Sequence, residues 1–250
     1  MPNQTATTSL LQRLDTTETT PGARELRAHS YHLLRLAAGQ AVADVGCGGG
    51  WAVEELAERG ARPVGVDTSE DMVTAARQRW PGREFLLGSA EELPLADGSL
   101  AGYRSDKVFH DLAAPDRAVA EARRVLAPGG RIVLIDPDWD TLAIDSDDPA
   151  LTRAIVHARV DQLPSPYIGR RLPALLRDSG FADVTIEVRT SVFTDDRMLS
   201  LLNRLVQVAR SAGAVSDDRA GAWAAEQAER ARTGRFFLAV PLYVLAATRA

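Results

Sequence analysis

The chain of 250 residues is poor in several things at once: it has one cysteine, Cys47, one lysine, Lys107, and few aromatic residues. A single cysteine excludes an intrachain disulfide and any cysteine-built metal site. Arginine supplies nearly all the positive charge, and the net charge is −5, so the basic footprint of a nucleic-acid binder is missing. No stretch is apolar for long enough to span a bilayer as a helix. The first twenty residues, MPNQTATTSLLQRLDTTETT, are polar, without a basic start or an apolar run of signal-peptide length. A cytoplasmic chain with no membrane and no nucleic-acid partner is therefore expected, with a mobile start over 1–22. The apolar share of 45% suffices for a sizeable core, and one domain is expected.

What is present concentrates in VADVGCGGG (Val42–Gly50). An apolar strand meets an acid, Asp44, and then glycines at every second position. A helical stretch follows (WAVEELAERG), then a second strand that ends in Asp67. Strand, glycine turn, helix, strand and acid is the order by which an α/β sheet holds an adenosine-containing cofactor at its carboxyl edge. The spacing narrows the choice. A dinucleotide fingerprint counted from Gly46 needs glycine at 51, which is Trp51, and counted from Gly48 it needs one at Val53. A phosphate-binding P-loop needs Lys followed by Ser or Thr, and none follows here. Asp67 lies about twenty residues beyond the loop, where an acid can accept both ribose hydroxyls.

Further strands and helices alternate along the chain. The pattern predicts helices over 23–37, 51–59, 70–79 and 115–126, and strands over 41–45, 62–66, 84–87, 100–105 and 131–136. Beyond 136 the regularity loosens: an acidic stretch, helices near 149–162 and 169–179, a strand over 184–190, helices over 195–212 and 216–232, and a last strand over 236–248. Pro241 lies inside that last strand, which must therefore be bulged, at an edge, or half paired there. The expected fold is α/β, a doubly wound, mostly parallel sheet of Rossmann-like type.

The D-x-G-x-G-x-G loop resembles the first motif of the class I S-adenosylmethionine (SAM)-dependent methyltransferases. Four further segments resemble the small-molecule, ubiquinone/menaquinone-type members: GVDTSEDM (65–72), GSAEELPLADGSL (88–100), RSDKVFHDL (104–112) and EARRVLAPGGRIVLID (121–136). The resemblance is strong over about 40–136 and rests on layout alone beyond. It implies seven strands with an antiparallel last strand, SAM as cofactor, and a small-molecule acceptor methylated at O, N or C. It implies a helix over the cofactor site at 23–39, a cofactor core at 40–136, and helical lid insertions over 137–180 and 191–234 that hold the acceptor. Gly46, Cys47, Gly48 and Gly50 would border SAM, Asp67 would hold the ribose, and Thr68 and Met72 would flank adenine. Ser89 and Ala90 would meet the adenine edge, and Ser105 would lie by the sulfonium. The family usually has Asp where this chain has Ser89, and the charged Arg104–Lys107 run points to a polar group near the reacting end.

Each candidate has a plainer reading. Asp44 either contacts SAM or shapes the glycine loop. Asp67 is a ribose ligand or a helix cap. His110 is the candidate catalytic base, or a histidine packed under the strand exit. Lys107, Trp139, His157 and Tyr167 are candidate acceptor contacts. Against them stand a solvated charge for Lys107, core packing for Trp139, Tyr167 and Trp223, and a surface pair of His157 with Asp161. The acidic run Asp136, Asp138, Asp140, Asp145, Asp147, Asp148 reads as a solvated loop, a patch for a cationic acceptor, or a divalent metal site; no metal is predicted. Methylation of a protein or RNA, and a SAM-binding scaffold without chemistry, stay open as alternatives. A homodimer is left open as well.

Overall fold

In β1 (Ala41–Val45), Ala43 and Val45 point into one apolar cluster and Val42 into another. That alternation is what a strand buried on both faces requires. The computed structural model describes residues 18–250; the expectation for the first seventeen positions lies outside the described residues. The elements that follow are α1 (Pro21–Leu34), β1, α2 (Trp51–Glu58), β2 (Arg62–Asp67), α3 (Glu70–Arg79), β3 (Glu84–Leu87), β4 (Leu100–Asp106), α4 (Pro115–Val125) and β5 (Leu126–Pro137). Then come β6 (Ala143–Ile144), α5 (Pro149–Val160), α6 (Ile168–Asp178), β7 (Phe181–Phe193), α7 (Leu199–Ser211), α8 (Asp217–Arg232) and β8 (Leu238–Arg249).

Strands β3, β2, β1, β4 and β5 pair in that order and parallel; β8 pairs antiparallel with β5 and with β7. This is the expected Rossmann-like sheet with an antiparallel last strand. It has eight strands rather than seven because the two-residue β6 also pairs with β8, at Leu238 and Ala239. Pro241 falls in the gap between two ladders on that side. Pairing with β5 stops at Leu242, and pairing with β6 begins at Ala239. The missing N–H of proline therefore costs nothing there, and the strand is half paired as its sequence demands.

Helices cover both faces. On one, α4 and α6 bury Ala118, Val119, Ala122, Ile168, Leu172 and Leu176 against the sheet. On the other, Tyr31 and Leu34 of α1 and Ala52 and Leu56 of α2 pack on Val42, Val133 and Ala246. Helices α5, α7 and α8 build a separate core around Ile155, Leu205, Trp223 and Phe236. One expectation changes. The 169–179 helix, placed in a lid by the sequence reading, is α6 and is a layer of the sheet, because its apolar stripe matches β5 and β8. Trp223 is core: it is buried, and its Nε1 donates to Thr152 Oγ1 at 2.9 Å.

Candidate active site

The glycine loop has the shape it has for steric reasons. Gly46 sits at φ +75°, and a Cβ there would lie 2.1 Å from Val108 Cγ2. Gly50 caps α2 at φ +78°, and a Cβ would press on Phe85 and Trp80. Both positions need glycine for backbone conformation and for close approach. The loop is held from the next strand: Asp67 Oδ2 accepts the Gly48 N–H at 2.9 Å, and Asp67 Oδ1 accepts the Ser69 N–H at 2.9 Å. Ser69 is the helix cap of α3, accepting from Met72 N, so Asp67 is not needed for that task.

Beside this loop, at the carboxyl ends of β1, β2 and β4, lies a cavity of about 540 Å³. Of the predicted cofactor residues, Asp44, Gly46, Cys47, Gly48, Asp67, Thr68, Met72 and Ala90 line it. Three do not. Gly50 is turned toward Phe85 and Trp80. Ser89 Oγ accepts Glu91 N at 3.1 Å and shapes its own turn. Ser105 is fully buried, and its hydroxyl donates to Val45 O at 2.9 Å, tying β4 to β1. The two serine hydroxyls are thus turned to partners within the chain, which spacing alone did not reveal. Lys107, predicted as an acceptor contact, instead lines this cavity.

The cavity wall holds a charge network that motif reading missed. Buried Arg104 donates to Ser30 Oγ at 2.8 Å, Asp44 Oδ1 at 2.7 Å and Asp106 Oδ2 at 2.7 Å. Lys107 Nζ lies 2.8 Å from Asp106 and 3.4 Å from Glu18. Arg27 of α1 joins Glu18 at 2.6 Å to Glu55 at 2.7 Å. Asp44 therefore pairs with Arg104 and does not cap the loop amides; Asp67 has that part. Burial pushes the Asp44 carboxyl up against the pull of Arg104. Burial also acts to raise Asp106, but Lys107 and Arg104 outweigh it and hold that carboxyl down. Burial pushes the Cys47 thiol well above its ordinary range, which leaves it a poor nucleophile. Lys107 adopts φ +62°, an uncommon conformation for a residue with a side chain and one that clusters at functional sites. One signal for Arg27 was present in the sequence: it shares a helix face with Tyr31 and Leu34, where an arginine is out of place.

A second cluster adjoins the cavity. His110 Nδ1 lies 2.6 Å from Asp136 Oδ1, and Asp136, fully buried, also accepts the N–H groups of Val108, Phe109 and His110. A proton on Nδ1 faces Asp136, while Nε2 lies 3.4 Å from Asp111. The His110 ring lies 5.6 Å from that of Trp139, with Arg159 over the far ring. His157 reaches Asp140 at 3.2 Å, not Asp161 as the helix spacing suggested. Arg170 binds the buried Asp138 and stacks on Tyr167. Thus His110, Trp139, His157 and Tyr167 lie in one region, and Asp111 joins it to the cavity: it lines the cavity and sits 3.4 Å from His110 Nε2.

The acidic run is solvated only in part: Asp140, Asp145 and Asp147 are exposed. Asp136 and Asp138 are buried and paired as described; Asp145 and Asp147 pair with Arg230 at 2.6 and 2.7 Å; Asp148 caps α5 and meets Arg219 at 2.9 Å. Each carboxylate faces a cation or donor because the acids and arginines of α5, α6 and α8 are brought together by folding. No cluster of three or more His, Cys, Asp or Glu arranged to hold a metal occurs among the described residues. No helix among them is long and apolar enough to cross a membrane.

Comparison with known proteins places this geometry in context. A methyltransferase domain family matches residues 43–134. A 37.1 kDa protein of transposon Tn4556 from Streptomyces fradiae, itself uncharacterized, is 39% identical over 94% of this chain and 70% of its own length. The demethylmenaquinone methyltransferase of Paenarthrobacter aurescens is 29% identical over 59% of this chain, which spans 64% of that enzyme. Among solved structures, phosphoethanolamine N-methyltransferase 2 of Haemonchus contortus, complexed with phosphomonomethylethanolamine and S-adenosylhomocysteine, superposes with TM-score 0.61 at 15% identity, over 96% of this chain and 56% of that one. That likeness is one of fold.

Proposed function

The chain belongs to the class I SAM-dependent methyltransferases, and from that premise we propose that it methylates O, N or C of a small-molecule acceptor held beside His110. One observation carries the reading. The glycine loop, Asp67 and Met72 converge on a single cavity, and Asp111 in its wall lies 3.4 Å from a histidine oriented by a buried carboxylate.

The residues fit SAM. The cavity volume lies within the range of small-molecule sites. Each Asp67 oxygen uses one lone pair on a backbone N–H and keeps another for a ribose hydroxyl. Thr68, Met72 and Ala90 would flank adenine. Glu18, Arg27, Asp106 and Lys107 offer both signs of charge to the zwitterionic amino-acid end. Bound SAM supplies an activated methyl group on a sulfonium.

The chain's own part is position and proton handling. His110 Nε2 takes the proton of an attacking hydroxyl while Asp136 fixes the tautomer and stabilises the charge that develops. Alignment contributes up to about 7–11 kcal/mol in well-oriented systems. Trp139 beside His110 favours a phenol or enol over a cationic amine. The helical unit of α5, α7 and α8, with the segment from Asp138 to Tyr167, serves as the acceptor lid; α6 does not.

Isothermal titration with SAM and with S-adenosylhomocysteine tests the first half. Both should bind, and failure of both removes the proposal. Transfer of labelled methyl from SAM to a panel of phenols, enols and amines tests the second; labelling of amines alone would remove the role given to His110. A scaffold without chemistry would bind SAM and label nothing.

A further inference from the structure

We propose that β7 is a self-pairing edge, through which two copies of this chain join antiparallel about Val188 into one continuous sheet. Among the described residues β7 pairs only with β8, so its outer backbone N–H and C=O groups have no ladder partner. It runs from Phe181 to Phe193, and its one irregularity lies at the Ala182–Thr185 end. Long edges are normally protected by bulges, proline or lysine. From Thr185 to Phe193 this one has none of the three. Ile186, Val188 and Val192, on the same face, are about half exposed, at 47, 52 and 54%.

The sequence of the edge states which partner it fits. In an antiparallel pair with its two-fold axis at Val188, residues equidistant from Val188 face each other. Thr185 meets Ser191, Ile186 meets Thr190, and Glu187 meets Arg189 of the other copy. Every opposed pair is compatible: hydroxyl on hydroxyl, a β-branched pair, and opposite charges. The axis repeats the Glu–Arg pair twice. Opposite charges directly across a ladder are favourable and like charges are not. A shift of register by one residue would place apolar side chains across from charged ones. The charges that would discourage a foreign strand therefore specify a second copy, and the contact is isologous, as closed dimers require. Within one copy Glu187 also accepts from His29 of α1 and lies 3.4 Å from Arg189, so the edge is anchored to the helix that carries Arg27 to the cavity, and pairing across the axis exchanges a Glu–Arg contact inside each copy for one between copies.

Sedimentation velocity over a concentration series tests this with charge variants on the intact chain. Wild type should show twice the chain mass. Arg189→Glu sets Glu against Glu, and Glu187→Arg sets Arg against Arg, so each alone should be monomeric. Mixed together they should regain the dimer mass, because each copy then presents the other's complement. Unchanged circular dichroism shows that each variant is folded. As a second measurement, the Val188→Cys variant should cross-link on oxidation, since residues opposed across such a pair stand about 4.5–5.5 Å apart at Cα, within disulfide reach, and Cys47 is buried. A wild type that stays monomeric, a dimer that survives both single charge variants, a mixture that stays monomeric, or a Val188→Cys variant that forms no cross-link would each overturn the proposal.

Discussion

The Asp67 carboxylate, at the end of β2, accepts the N–H of Gly48 at 2.9 Å and so fixes the loop that leaves β1. One side chain thereby serves two tasks, shaping the loop and facing the cavity. Asp67→Ala is predicted to weaken SAM binding at least tenfold, or about 1.4 kcal/mol, because the loop support and the ribose acceptor are lost together. Titration calorimetry checks this, and an unchanged affinity would refute the role assigned to Asp67.

Gly46→Ala asks whether the loop tolerates a single carbon. The added Cβ meets a stiff β-branched neighbour, Val108, and the backbone is at φ +75°. Left-handed strain at a residue with a side chain costs of order 1–3 kcal/mol. A lower Tm and loss of SAM binding are expected together. Trimming the neighbour, as in Gly46→Ala with Val108→Ala, should recover part of the loss, since the clash goes and the strain stays. No recovery in the double variant would assign the whole effect to backbone conformation.

His110 and Asp136 should separate binding from chemistry. His110→Gln is expected to lower kcat for hydroxyl acceptors by about 10²–10⁴, the usual worth of a general base, and to leave SAM affinity unchanged because His110 does not line the cavity beside the glycine loop. Asp136→Asn should also lower Tm, since that carboxylate accepts three backbone N–H groups as well as His110. Equal loss of SAM affinity and kcat in His110→Gln would show that the histidine supports the cofactor cavity instead.

The core of the fold was legible because its signals are local. The strands β1 to β3 are short apolar runs bounded by turn residues, so α3 and β3 fall on the residues the pattern predicts, whereas β5 begins five residues before the predicted run and takes in Pro128, Gly129 and Gly130. The half-paired Pro241 was legible too, since proline's missing donor dictates where it can sit. Side-chain direction was harder. Ser105 fits a motif position yet turns its hydroxyl to Val45 O, and no spacing rule says which face of a central strand a serine takes. Arg104 escaped because its meaning depends on partners 60 and 74 residues away, Asp44 and Ser30. Arg27 likewise depends on Glu55, which belongs to another helix. The pairing of the acidic run was hidden for the same reason: its arginines come from α6 and α8, far along the chain.

The tie between α1 and α2 should appear in the acid limb of stability. Burial acts to raise the Glu55 carboxyl, but hydrogen bonds from Arg27 and Tyr31 outweigh it and hold Glu55 below its ordinary value. A depressed carboxylate contributes stability that is fully present above its unfolded pKa, about 4.3, and is lost as pH falls through the folded value. Glu55→Gln removes the charge but keeps an acceptor. Its Tm should lie below that of wild type at neutral pH, and the gap should close as pH falls below about 4.3, because wild type then loses the same ion pair by protonation. A gap that stays constant down the acid limb would mean that α1 is held by packing of Tyr31 and Leu34 alone, and that Arg27 reaches the cavity wall without help from Glu55.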